Sequence, residues 1–422
     1  MTMGKKLLHT TNQYAKPYRP LPIALFNRAG RVAEKLGVLA DIDVEQLITN
    51  ARRKSGLNEF GDEWFREPLT VLVESINREA NLTPTGKLIQ KTRLEGALIA
   101  RLRAEQLLQK HPEIHDIDLG KIIIIAGLQR TGTTTLHRLL AADPNMRALM
   151  SWEALNPIPL PKEPLGNPKR RIAKAKTAEK GLAYLAPEFF AIHPVEHDAP
   201  EEDVLLLDLC FMSQSPEATL HVPTYAAWLE QQDHTPAYTY LRTLLKILSW
   251  QRPAKNWVLK TPHHMEYLDV ILQVFPEASI VQTHRDPQKT TGSFCSMVSH
   301  GRGVFSDEVD AREVARHWMR KVNRLMQRSI NVREQCEQKR FIDVSYYDLV
   351  SDPISQVARI YEFAGIPFDQ SAAEAAESTS KRNVQNRYGK HIYDLEDFGL
   401  TQDAIEHQYA FYRRRYGIPY EN

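Results

Sequence analysis

The chain has 422 residues, and its 54 Lys or Arg against 52 Asp or Glu leave a formal net charge of +2. So even a balance excludes a dedicated polyanion binder, which needs a clustered basic excess, and no nucleic-acid partner is expected. With 42% hydrophobic and 25% charged residues the chain is not disordered as a whole, and its length suits one large α/β domain with an added segment, or two or three small ones.

Cys210, Cys295 and Cys336 are widely spaced and form no CxxC, so neither a disulfide framework nor a cysteine zinc site is expected. The longest strongly apolar run, Ile122–Ala126, falls far short of the ~20 residues a membrane span needs. Lys5-Lys6 is followed only by Leu7-Leu8, which is no secretory core. A cytoplasmic protein without a transmembrane segment is expected. Oligomeric state has no sequence signal.

Residues 1–115 read as a helical N-terminal segment and 116–422 as an α/β unit. Asp41–Asp43 offers N-caps to a helix over Val44–Lys54. Leu94, Leu98 and Leu102 recur at helical spacing beside Arg93, Arg101 and Arg103, which predicts an amphipathic helix with a solvated charged face, stopped by Pro112. The run Ile122–Ala126 lacks alternation and predicts a strand buried on both faces, as in a parallel sheet. Gly127–Thr135 follows, then a helix over Leu136–Ala142, ended by Asp143-Pro144. Further strands are predicted at Trp257–Leu259, Ser279–Thr283 and Phe341–Val344, with a helix over Met265–Phe275. Strands alternating with helices imply a mostly parallel sheet. The proline-rich stretch 160–255 is the natural place for an acceptor pocket. There Tyr225, Trp228, Tyr238 and Tyr240 either line that pocket or belong to the core.

A strand, a glycine loop and a hydroxyl-rich helix start make an anion cradle, because free N–H groups and the helix dipole point at one spot. Gly127 and Gly132 have the spacing of the G-x-x-x-x-G-K-[ST] loop, but Thr133 stands where the lysine belongs, and the cation is Arg130, inside the loop. Arginine offers a planar fork where lysine offers a point charge.

Gln129-Arg130-Thr131-Gly132-Thr133-Thr134-Thr135 resembles the 5′-phosphosulfate loop of sulfotransferases that use 3′-phosphoadenosine 5′-phosphosulfate (PAPS). It is closest to the arginine-type branch that includes bacterial members and tyrosylprotein sulfotransferases. Gln129 replaces that branch's proline. Arg285-Asp286-Pro287 with Ser293 is similar to the family's Arg…Ser pair for the 3′-phosphate. Lys260-Thr261-Pro262-His263-His264, then Phe275-Pro276-Glu277-Ala278, resembles its K-[ST]-P-x-H…F-P-x-A segment. Tyr346-Tyr347-Asp348-Leu349 with Asp352-Pro353 looks like its Y-x-D-L…P segment. Arg387–Tyr393 with Phe398-Gly399-Leu400 looks like its bacterial C-terminal segment. The resemblance covers about residues 120–415.

It implies a P-loop-like parallel sheet flanked by helices, PAPS as co-substrate, and sulfuryl transfer to a hydroxyl of a small-molecule, glycan or lipid acceptor, without a metal. It further implies that Arg130, Thr131, Gly132, Thr133, Thr134 and Thr135 hold the 5′-phosphosulfate and that Arg285 and Ser293 hold the 3′-phosphate. Lys260 would stabilise the leaving group. Tyr346 either stacks on adenine or is a core aromatic at a strand end. Lys390 and His391 either close over the 3′-phosphate or lie in a solvated loop.

The acceptor proton needs a base. Glu153, following the loop helix at about the distance of the family's catalytic glutamate, is the first choice over His197 and His264. Its neighbour Trp152 could raise its pKa by desolvation; the alternative is an acid paired with an arginine. His193 and His197 are four apart, but Pro194 between them disfavours a metal pair. Two rival classes remain: a P-loop kinase or NTPase, which lacks its lysine here, and a nucleotide-binding module without catalysis.

Overall fold

A computed structural model describes residues 8–9, 12–38, 40–253, 255–336, 338–382, 389–390 and 392–421. Its centre is a five-stranded sheet: β1 (Lys121–Ile125), β2 (Met146–Ala148), β3 (Asn256–Lys260), β4 (Ala278–His284) and β5 (Phe341–Ser345). The spatial order is β2-β3-β1-β4-β5, and every pairing is parallel. The predicted strands are present within one or two residues. The short β2 was not predicted; three residues, Met146-Arg147-Ala148, are too few to show a period.

β1 is buried along Ile122–Ile125, because helices cover both faces of the sheet. Ile122 and Ile124 join the larger core on one face, while Ile123 and Ile125 join a second core on the other. In register, Ile125 stands beside Lys260 of β3 and Val281 of β4. The chain visits β2 and β3 on one side of β1, then β4 and β5 on the other. The carboxyl ends of β1, β3 and β4 therefore flank a topological switch point, the place where open parallel sheets bind ligands.

Six helices matter below: α1 (Leu21–Lys35), α2 (Pro84–Lys110), α3 (Thr133–Leu140), α4 (Pro287–Gly303), α5 (Ala311–Gln335) and α6 (Gln402–Tyr416). The helix after Asp43 runs Val44–Ser55, and the Asp43 side chain accepts from the Gln46 N–H at 2.7 Å. α2 ends two residues before Pro112 and buries Leu94, Leu98 and Leu102. Its charged face is only partly solvated. Arg101 is buried, donates to the carbonyls of Phe60 and Asp62, and lies over the rings of Phe65 and Tyr240. The predicted helix over Met265–Phe275 is a 3₁₀ turn, Pro262–Glu266, followed by a helix over Leu268–Val274.

Residues on both sides of position 115 share one hydrophobic core, from Leu47 and Leu98 to Trp257 and Trp318. A close backbone approach fastens the N-terminal segment. Phe305 O accepts from Thr83 N–H at 2.8 Å and from its hydroxyl at 3.1 Å, and a Cβ on Gly86 would lie 2.2 Å from that same oxygen. Gly86→Ala is therefore expected to lower stability by about 1–3 kcal/mol, the usual cost of overpacking; denaturant unfolding measures it.

Candidate active site

All the loops that build the site leave the carboxyl edge of the sheet. After β1 the chain turns through Gly127–Gly132 into α3. A Cβ at Gly127 would fall 2.0 Å from Thr283 Oγ1, and Gly132 has φ +88°, so each glycine is required sterically. Arg130 also has positive φ (67°), a conformation non-glycine residues adopt at a cost and keep where the surroundings enforce it. The Thr131 hydroxyl is turned inward, donating to Leu128 O and pairing with Thr283 Oγ1, both at 2.6 Å. It locks the loop and does not line the cleft.

The resulting recess, about 190 Å³, is lined by Gln129, Arg130, Gly132 and Thr133–Thr135, with Arg285, Tyr346, His193 and Glu202 opposite. Burial lowers the Arg130 pKa, and the neighbouring Arg285 guanidinium lowers it further. Two like charges thus face one cavity beside a helix N-terminus, a field that an anion relieves. The Arg285 guanidinium lies 3.9 Å from the centre of the Tyr346 ring. Its fork donates to both carboxylate oxygens of Glu421, at 2.6 and 2.8 Å, and its third nitrogen to Arg130 O at 3.1 Å. Burial alone would lower the Arg285 pKa; the Glu421 pair keeps it raised.

Ser293, on α4, is buried and lies outside the lining of this recess. Lys390 belongs to a two-residue strand, Gly389–Lys390, paired with Leu8–His9; His391 lies outside the described residues. Just beyond, Tyr393 and Leu395 pack against Gly292 of α4.

Lys260 ends β3 and is buried; its ammonium donates to Glu202 Oε1 at 2.6 Å, and Thr261 Oγ1 meets Glu202 Oε2 at 3.1 Å. Glu202 and His193, together with Gln129, form the wall shared with a second, larger chamber of about 280 Å³. That chamber is apolar, lined by Phe189, Val204, Leu205, Phe294, Met297 and Trp318 among others. The tyrosines considered for it belong to the core instead: Tyr225 donates to Phe211 O, and Tyr238 pairs with His264 Nδ1.

None of the three predicted bases reaches either cavity. Glu153 is buried, with Arg147 at 2.7 Å on one oxygen, and Arg252 at 3.0 Å and the Met150 N–H at 3.1 Å on the other. Glu153, expected to take the proton, has its lone pairs engaged in an ion-pair network in this structure, the arrangement named above as its alternative. His264 is wholly buried, 2.8 Å from Asp203 Oδ2, and His197 pairs with Glu179 at 2.6 Å. Besides Glu201 and His263, the acids and histidines that line the cavities include two not considered as the base, His193 and Glu202. Both lie in the stretch 193–203, which has no motif; its density of His and acids was the one signal available. Burial lowers the His193 pKa from its usual 6.5, while Glu201 and Glu202 partly offset that effect. Among the described residues no three His, Cys, Asp or Glu gather as a metal cluster.

The chain belongs to the sulfotransferase family, whose model matches residues 123–370. It is 26% identical over 261 residues to omega-hydroxy-beta-dihydromenaquinone-9 sulfotransferase Stf3 of Mycobacterium tuberculosis (strain CDC 1551 / Oshkosh). That match covers 58% of this chain and 62% of the relative, so it spans less than two thirds of that protein's length. Among solved structures, it resembles sulfotransferase STF1 of M. tuberculosis H37Rv with 32% identity and a TM-score of 0.77, over 88% of this chain and 99% of that one. It also resembles STF9 of M. avium with 28% identity and a TM-score of 0.81, over 91% and 100%.

Glu153→Gln leaves Arg147 buried beside a neutral partner. A loss of about 3–5 kcal/mol in stability is expected, with turnover per folded molecule little changed. Denaturation combined with active-site titration separates the two effects.

Proposed function

We propose that this protein transfers the sulfuryl group of PAPS to a hydroxyl on an apolar acceptor. The observation that carries this reading is the pair of guanidiniums, Arg130 and Arg285, facing one recess at the N-terminus of α3. A donor with phosphate groups at two positions suits two separate cations. A nucleoside triphosphate would call for a loop lysine, and Thr133 stands in its place.

Arg130, the amides after Gly132 and the Thr133–Thr135 hydroxyls would hold the 5′ end. Arg285 would hold the 3′-phosphate, with Ser293 nearby on α4 and Tyr346 beneath the guanidinium. When bound, PAPS supplies the activated sulfuryl group and a nucleotide leaving group. Lys260, at the sheet edge, is suited to oppose negative charge growing on that leaving group. The apolar chamber would seat the acceptor, with its hydroxyl at the wall of Gln129, His193 and Glu202. Stf3 is named for a hydroxylated menaquinone derivative, an acceptor whose apolar body has the character of this chamber.

His193 is the base we assign. Its lowered pKa leaves the imidazole neutral at pH 7 and free to accept a proton. Glu202, anchored by Lys260 and Thr261, stands where its charge would stabilise the imidazolium as it forms.

The reading is tested with PAPS carrying a labelled sulfuryl group and a panel of long-chain alcohols. Arg130→Ala should lose at least about 10²-fold in turnover, and substantial retained activity would sink the assignment. A base must be deprotonated, so activity should hold above the His193 pKa and fall as pH drops through it, with that acid limb below pH 6.5. In His193→Gln the limb should vanish along with about 10²–10⁴-fold of the rate.

A further inference from the structure

α1 is built the wrong way round for a helix on a globular protein. Apart from the half-buried Ile23, the side turned to the protein is polar or small. Asn27 Oδ1 accepts from Thr85 N–H at 3.0 Å and its hydroxyl at 2.7 Å, Gly30 is buried, and Glu34 pairs with Lys87 at 3.2 Å. The side turned to solvent is apolar. Leu21, Leu25, Val32 and Leu36 recur at helical spacing and are 56–74% exposed; Phe26 beside them and Val38 just past the helix are exposed as well. Isolated exposed leucines need no explanation, but a continuous stripe along four turns does.

The stripe has a cationic edge. Residues 1–38 hold seven Lys or Arg and one acid, Glu34, although the whole chain is nearly neutral at +2. Arg19, Arg28, Arg31 and Lys35 line a recess of about 350 Å³ at the base of α1. Asp307 there pairs with Arg19 at 3.0 Å and with Arg31 at 2.5 Å. Arg28 and Lys35 make no ion pair among the described residues. The recess is therefore net positive beside an exposed apolar stripe.

Neighbouring recesses share lining residues between α1 and the apolar chamber. Arg19 lines both the cationic recess and a small neighbouring recess with Tyr14, Pro17 and His300. Phe189 lines that small recess and the apolar chamber.

We propose that α1 is a membrane-docking helix that lays its apolar stripe into the interface of an anionic lipid bilayer, with lipid phosphates drawn to the Arg28 and Lys35 edge. An exposed apolar stripe with flanking cations is the pattern of helices that lie in the interface plane, and the gain depends on anionic lipid. This goes beyond the sulfuryl-transfer reading and does not rest on it. No helix among the described residues is long and apolar enough to cross a bilayer, so the contact is peripheral.

The test is flotation of the full chain with vesicles of phosphatidylcholine alone, or with about one third phosphatidylglycerol, at low and high salt. Each cation near an anionic surface strengthens binding about fivefold. Partitioning at least tenfold stronger on the anionic vesicles, weakened by salt, is therefore expected. Leu25→Gln/Val32→Gln/Leu36→Gln and Arg28→Glu/Lys35→Glu should each reduce it at least tenfold, with unchanged melting temperatures showing that the variants fold. Three outcomes overturn the proposal: no flotation, equal flotation on neutral vesicles, or variants that float like the parent. A stable dimer that Leu25→Gln/Val32→Gln/Leu36→Gln converts to monomer also overturns it, because a second copy would then cover the stripe.

Discussion

The site depends on bringing two guanidiniums to one cavity. Arg130 and Arg285 come from opposite sides of the Ile125–Val281 register, at the carboxyl edge of a parallel sheet. Their mutual repulsion is a standing cost to the folded chain. It is met in part by Glu421, whose carboxylate grips the Arg285 fork, and by the Tyr346 ring beneath it. The backbone around the pair is correspondingly constrained. Gly127 and Gly132 leave no room for a side chain, Arg130 is held at positive φ, and Thr131 ties the loop to β4 through Thr283. Such preorganisation suits a site that binds a multiply charged donor, since the cost of assembling the cations is already met before the ligand arrives.

The second layer of the site follows from what the sheet does not supply. The strand ends present cations and hydroxyls, whereas the stretch 189–219 presents Phe189, His193, Glu202, Val204 and Leu205. The two meet at Glu202, which Lys260 and Thr261 hold from the sheet side. The apolar chamber and the arginine-lined recess thus share a wall whose Glu202 carboxylate is held from the carboxyl end of β3. Loops that carry function on a rigid scaffold are a general arrangement; here one ion pair makes the connection.

How much of this was legible in the sequence differs by element. The strand at Ile122–Ile125 and the glycine loop after it are local signals, because burial on both faces and a tight turn each demand particular residues in succession. Arg285 was singled out through the resemblance of Arg285-Asp286-Pro287 and Ser293 to a family motif that follows a strand. The partners of Glu153 were not legible because they are distant or on an unpredicted strand: Arg252 lies 99 residues away in the chain, and Arg147 sits on β2. No spacing rule reveals a partner that arrives through tertiary packing. His193 and Glu202 failed to stand out for the opposite reason. They occupy irregular backbone, where neither a period nor a cap fixes which way a side chain points. Arg101 taught the same lesson on a helix: the fourth-residue leucine spacing placed it on a charged face, yet Phe60, Phe65 and Tyr240 close over it.

The most direct test of the central claim is calorimetric titration with adenosine 3′,5′-bisphosphate, set against ATP with magnesium. It needs no knowledge of the acceptor. The account predicts tight binding of the bisphosphate, lost in Arg285→Ala, and little response to magnesium ATP. Preference for magnesium ATP, or bisphosphate binding indifferent to Arg285, would contradict it.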